Sequence, residues 1–192
     1  MRLATPSSAG YFCPMGRPKS YQVEDVVSRA LPVFWRSGYE GASLKGLEAA
    51  TGLNKFSLYA SFGSKRGLYL ASLDLYVARY LAPYFGDFRP VGPESMETFL
   101  CGVVTNLEAT GGLGCALLNG GIEFQGRDEE LNRRIAETYE VLTATLTDYW
   151  KDRRRAEAFT ALVRGLMVSG RMGLPRQVLD SVVQGSRALW AS

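Results

Sequence analysis

Apolar positions along the chain recur every three or four residues, the spacing that gathers side chains on one face of an α-helix. Val23, Val26, Val27, Ala30, Leu31 and Phe34 do this first. They predict a helix over 22–37, bent at Pro32, whose ring removes a backbone hydrogen bond, and ended by Gly38. Two short segments follow. Leu44, Leu47 and Ala50 make a stripe behind a capping Ser43 and stop at Gly52, and Asn54 caps a second segment through Ala60. Ser64 then caps a helix to about Tyr80, with Leu68, Ala71, Leu75 and Leu81 turned inward. Pro83, Pro90 and Pro93, with Gly86 and Gly92, predict a non-helical connector after it.

Beyond the connector the same period continues. Met96, Phe99, Leu100, Val103, Val104 and Leu107 form one stripe, broken by Gly111-Gly112-Leu113-Gly114. That glycine run lacks the Gly-Lys-Ser/Thr of a phosphate loop, and no strand-like segment precedes it. A short apolar helix over 115–124 embeds Asn119 and Glu123, and a long one over 129–150 carries Leu131, Ile135, Tyr139, Leu142, Leu146, Tyr149 and Trp150 on a broad face. Residues 151–155 make a polar corner. Two last helices are predicted over 156–172, with Phe159, Leu162, Val163, Leu166, Met167 and Gly170, and over 175–190, with Val178, Leu179, Val182, Val183 and Leu189. The fold class read from this pattern is all-α.

The two short segments on either side of Gly52 form a helix-turn-helix. In that motif the second helix lies in the major groove of DNA and the first crosses the phosphate backbone. Lys55, Phe56, Ser57 and Tyr59 then face DNA, the first three reaching base edges and Tyr59 a phosphate, with Ser43 and Lys45 on the first helix. Lys65 opens the following helix, where exposed N–H groups and the lysine together suit a phosphate. Tyr39 and Phe62 read as core aromatics. At these residues the chain resembles the TetR family of bacterial transcriptional repressors. The likeness is carried by Phe34-Trp35-Arg36-Ser37-Gly38-Tyr39 before the motif and by Leu58-Tyr59-Ala60-Ser61-Phe62-Gly63-Ser64-Lys65-Arg66-Gly67-Leu68 within and after it. Two positions depart from the family pattern. Glu48 stands where a small residue is usual, and Gly46 occupies the usual acidic third helical position, which weakens the capping box.

Charge follows the motif. The net charge of +3 is unevenly divided: residues 16–80 hold nine Lys/Arg and five Asp/Glu, while 81–192 hold twelve and fourteen. A basic reader favours phosphate contact, and the slightly acidic remainder is no second nucleic-acid surface. The sequence has no histidine, which removes the commonest general base and every histidine metal site, and its three cysteines, at 13, 101 and 115, form no close pair. No enzyme activity, metal or cofactor is expected. No apolar run reaches the roughly 18 residues of a membrane helix, so no membrane partner is expected, and the reading is cytoplasmic. Residues 1–15 read as a disordered tail. Met15-Gly16-Arg17-Pro18-Lys19 resembles a family start, and Arg17 and Lys19 are candidates for an arm on the phosphates or in the minor groove, or else solvated charges.

The resemblance implies the rest. A DNA-binding domain over 16–63 is joined by a linking helix to a ligand-binding and dimerisation bundle within 64–192. The expected function is a ligand-released repressor that binds a palindromic DNA operator as a homodimer. The alternative is a small-molecule-binding helical protein with a degenerate reader, for which Glu48 and Gly46 are the motive. Candidate contacts for the unidentified effector are Phe99, Val103, Leu107, Cys115, Asn119, Glu123 and Tyr139, each of which suits a core position equally well. Cys115 follows the glycine break at a predicted helix start, where the dipole favours a thiolate; a small buried hydrophobe is the other reading. The dimer surface is expected on the last two helices, at Phe159, Leu162, Leu166, Gly170, Val178, Val182 and Leu189, with intramolecular core as the alternative for each.

Overall fold

Five helices begin at a side chain that accepts a hydrogen bond from the backbone N–H three residues on: Ser43 from Gly46, Asn54 from Ser57, Ser64 from Gly67, Asp128 from Leu131 and Asp152 from Arg155. Each satisfies one of the four N–H groups a helix start leaves without a partner. The computed structural model describes residues 21–86, 88–89, 91–124 and 126–189. The expected tail over 1–15, and Arg17 and Lys19, lie outside the described residues.

The elements are α1 (Val23–Gly41), α2 (Leu44–Thr51), α3 (Lys55–Phe62), α4 (Lys65–Tyr76), a π turn (Val77–Leu81), α5 (Ala82–Gly86), α6 (Pro93–Ala109), α7 (Ala116–Phe124), α8 (Glu129–Trp150), α9 (Arg153–Arg171) and α10 (Arg176–Ser186). No strand occurs among the described residues. α1 lies against α2 and α4, and α3 packs on α4. The bundle is built from α6, α8, α9 and α10, with α7 touching α1, α4, α8 and α9. A single apolar core runs from Val26 through Leu47, Leu68, Leu100 and Phe159 to Val183.

Several expectations are corrected here. α1 buries Val26, Val27, Ala30, Leu31 and Phe34, but Val23 is exposed. The backbone of α1 leaves helical geometry at Gly38, with φ 73°, and not at Pro32. The helix after Ser64 does not stop near Tyr80. It widens into the π turn, where the Ala82 N–H reaches back five residues to the Val77 carbonyl, and restarts as α5. Pro83 thereby falls in a first turn, where a missing N–H costs nothing, so the connector is shorter than the prolines suggest and Pro93 opens α6. α4 buries Leu68, Tyr69, Leu70, Ser72, Leu73 and Tyr76, while Ala71 and Leu75 are only half-buried. The difference arises because α4 is covered by both α1 and α7.

Candidate nucleic-acid interface and effector cavity

α3 is fixed from three directions and open on the fourth. Asn54 caps it, Leu58 anchors it in the core, and the Tyr21 hydroxyl meets Ser61 Oγ at 2.6 Å and the Ser57 carbonyl at 3.4 Å. Glu48 adds a second cap, its Oε1 accepting the Lys55 N–H at 2.6 Å. The acidic residue that stands where a small one is usual thus ties α2 to the start of α3. On the open side Phe56 is 85% exposed, a large aromatic that packs against no core among the described residues. Lys55 is exposed beside it, with its Nζ 5.5 Å from the Tyr59 ring centroid. Ser43 and Lys45 are exposed on α2, and Ser57 and Tyr59 are half-buried. Lys65 Nζ lies 4.5 Å from the Tyr39 ring centroid and 3.5 Å from the Glu40 carbonyl, which holds its charge beside the motif. Tyr39 and Phe62 are half-buried against the core.

The segment carrying the motif is bonded to the bundle at polar points that the hydrophobic pattern does not reveal. Glu123, at the end of α7, accepts the Tyr39 N–H at Oε2 and the Glu40 N–H at Oε1, both at 2.7 Å. Gly38 makes room for this: a Cβ there would sit 2.7 Å from Glu123 Oε2. Trp35 Nε1 donates to the Gly114 carbonyl at 3.1 Å, and Arg171 to the Arg36 carbonyl at 2.9 Å. The neighbouring Arg66, its side chain 38% exposed, is engaged by carboxylates. It grips Asp128 with two bonds, at 2.7 and 2.8 Å, and Glu130 with a third at 2.9 Å.

That guanidinium, together with the Leu131 N–H, holds the Asp128 carboxyl at about 2, well below the usual carboxylate range. A depressed folded-state value means that the stabilisation is complete above about pH 4 and is lost as pH falls towards 2. Asp128→Asn keeps a good helix cap and removes the charge. Thermal melts from pH 5 to pH 2 should show the variant less stable at pH 5 and less sensitive to acid, the two curves converging at the acid end.

A small, largely enclosed space lies where α1, α4, the π turn, α5, α6, α7, α8 and α9 meet. About 40 Å³ of it is open to the centre of a water-sized sphere, room for roughly three waters. Of the expected effector contacts, Leu107, Cys115 and Tyr139 line it. Cys115 is buried, with Sγ 3.6 Å from the Tyr139 hydroxyl. Burial raises the hydroxyl pKa values of Tyr139 and Tyr76, and pushes that of Tyr84 up to about 12, so all three stay neutral. The other four expected contacts lie elsewhere. Phe99 belongs to an aromatic cluster with Tyr84, Phe85, Phe88 and Phe159, and Val103 is buried in the core. Asn119 donates to the Leu113 carbonyl at 2.9 Å, and Glu123 holds the turn after Gly38. Trp35, Tyr76, Tyr80 and Arg164 also line the space, and contributions from seven helices and the π turn leave no local signal in the sequence.

The expected dimer residues divide in two. Phe159, Leu166 and Gly170 are buried within the chain, and a Cβ at Gly170 would meet Leu107 Cδ atoms at 2.7 Å, so this glycine serves the crossing of α6 and α9. These three are corrected to intramolecular core. Val178, Val182 and Leu189 are 43%, 41% and 63% exposed, and Leu162 is half-buried. Ala161 and Gly165 on α9, Met172 just after it and Gly185 on α10 are exposed as well, so each helix carries outward apolar and small residues at helical spacing.

Comparisons with known proteins agree with this arrangement. The sequence profile of the bacterial regulatory proteins of the tetR family matches residues 26–72, from within α1 into α4. The HTH-type transcriptional repressor BdcR of Escherichia coli (strain K12) is 32% identical over 168 residues, covering 82% of this chain and 83% of that one. The repressor ComR of the same organism is 25% identical over 207 residues, covering 98% of each. Among solved structures, a cysteine mutant of the TetR family regulator CifR, complexed with 26-bp double-strand operator DNA, is similar with a TM-score of 0.74 at 26% identity, over 91% of this chain and 100% of that one. With the motif, the helical bundle behind it and relatives matched along nearly the whole length, the chain belongs to the TetR family of bacterial regulatory proteins.

Proposed function

We propose that the protein is a ligand-released transcriptional repressor that binds a near-palindromic operator as a homodimer in the cytoplasm. Residues 16–63 are the reader and 64–192 the effector and dimerisation part. The observation that carries this reading is the open face of α3. A helix capped by both Asn54 and Glu48 presents a bare Phe56 and Lys55 to solvent, an arrangement that suits the major groove and serves no packing among the described residues. Ser57 joins them at base edges; Tyr59, Lys65, Ser43 and Lys45 hold phosphates. The related repressors, one of them solved on operator DNA, support the same reading. A small molecule in the bundle cavity favours a different spacing of the two readers and lowers operator affinity; by linkage, DNA weakens effector binding by the same factor. No catalytic step is assigned.

Two substitutions test the reader. Phe56→Ala should change which sequence is preferred among operator variants, with an effect of about 1–3 kcal/mol at one base step. Lys65→Ala should weaken specific and non-specific DNA alike and lower the slope of log affinity against log salt by about one. Fluorescence anisotropy with the chain's own upstream DNA and a scrambled duplex reads both. An unchanged salt slope for Lys65→Ala together with a uniform loss for Phe56→Ala would reverse the assignment of backbone and base contacts.

A further inference from the structure

The cavity between α4 and α9 has one charged group in its lining, and the charge is positive. Arg164 stands on α9, half-buried, with its Nε donating to the Thr160 carbonyl at 3.2 Å and its guanidinium carbon 5.2 Å from the centroid of the Tyr139 ring. No Asp or Glu lines the space. Arg66, Arg134, Arg153 and Arg176 each hold two carboxylates, whereas Arg164 holds none among the described residues. A guanidinium cannot shed its proton to escape partial burial, as a lysine can, so its terminal N–H groups are satisfied by water or by an arriving anion.

Another part of the lining is aromatic. Trp35 meets Tyr76 with centroids 5.1 Å apart and Tyr80 at 5.5 Å, and Tyr76 and Tyr80 stack at 5.7 Å. Tyr80 is 44% exposed and stands at the solvent side, so its ring can swing to enlarge a space that otherwise admits only waters. The hydroxyls nearest Arg164 are neutral and do not compete for its charge, because burial keeps Tyr139 protonated.

We propose that this cavity takes a small organic acid: a carboxylate carried on a flat aromatic or unsaturated body, its head paired by Arg164 and its body against the Trp35, Tyr76 and Tyr80 rings. The inference rests on the reading of the cavity as the effector site and adds the chemical class of the effector. A neutral body of the same shape gains the stacking and forgoes the fork of charge-assisted hydrogen bonds. A cation finds no carboxylate and is repelled.

The test uses the full chain and three matched probes, 2-naphthoate, 2-naphthamide and 2-naphthylmethylammonium, titrated by calorimetry. The acid should bind once per protomer, about tenfold or more tighter than the amide, as a charge-assisted hydrogen bond provides, with the ammonium weakest. Arg164→Met should bring the acid down to the affinity of the amide and leave the amide unchanged, while Arg164→Lys, which keeps the charge, should retain the preference. Leu118→Trp, which fills the cavity from α7, should weaken all three probes. Equal affinities for acid and amide, an acid preference that survives Arg164→Met, or no binding by any probe at millimolar concentration overturns the inference. Release of operator DNA is read separately. An acid that binds through Arg164 without releasing DNA upholds the anion selectivity and removes the cavity's role as effector site.

Discussion

Val182→Glu should leave the protomer folded and abolish the proposed homodimer. Val182 is 41% exposed on α10, beside Val178 and Gly185 on the same outward face, so a carboxylate there is solvated in the isolated chain and costs little. In the proposed homodimer each patch would meet its own copy across a twofold axis, and the substitution would bring two like charges into one apolar contact. Burying an unpaired charge costs about 3–5 kcal/mol, comparable with much of the stability of a modest dimer. Sedimentation at micromolar concentration should therefore show a monomer with unchanged helical circular dichroism. Operator affinity should fall by more than either reader substitution causes, because half-sites held by one reader lose the gain of joint engagement. Leu166→Glu is the instructive contrast. Leu166 is 1% exposed and packed inside the bundle, so its carboxylate should unfold the protomer itself. A Val182→Glu protein that stays dimeric would remove this face from the interface.

The residues that proved easiest to read from sequence are those whose structural partner lies within four positions. Ser43, Asn54 and Ser64 each cap a helix by bonding the N–H three residues on, and Gly38 and Gly52 stand where the backbone takes positive φ. Such contacts are set by local geometry, which a linear pattern records. α4 shows the limit. Its periodicity fits either of two adjacent faces, and the choice falls on Tyr69 and Tyr76 only because α1 and α7 both cover it. Pro83 misleads for a similar reason: a five-residue hydrogen-bond turn before it converts a breaker into a first-turn residue. Buried helix faces look alike whether the partner is in the same chain or in another copy, which is why Leu166 and Val182 were indistinguishable until exposure separated them. Glu123 was legible as an unusual residue in an apolar helix, and its partner, 84 positions away, was not.

Glu123→Ala should loosen the joint between the reader and the bundle while both parts stay folded. Its two oxygens accept the Tyr39 and Glu40 N–H groups, each at 2.7 Å, at the point where Gly38 has turned the chain with φ 73°. Those N–H groups follow a break in α1, so the carboxylate does for this turn what a capping side chain does for a helix start. Losing the acceptor should cost about 1–3 kcal/mol, the range for charged hydrogen bonds left unmade at a partly exposed site. Amide exchange at Tyr39 and Glu40 should quicken well beyond that at Leu47 or Leu58 in the reader's core. Gly38→Ala attacks the same joint from the other side, since its methyl group would press on Glu123 Oε2 in a backbone region that alanine resists. The two substitutions damage one contact, so their combined loss should fall short of the sum of the singles by about 1 kcal/mol. Because α7 runs from the cavity wall at Leu118 to this carboxylate, the same variant should also narrow the difference in operator affinity between empty and occupied protein. Strict additivity of Gly38→Ala and Glu123→Ala in urea melts would mean that the two residues are not coupled and that the joint is held elsewhere.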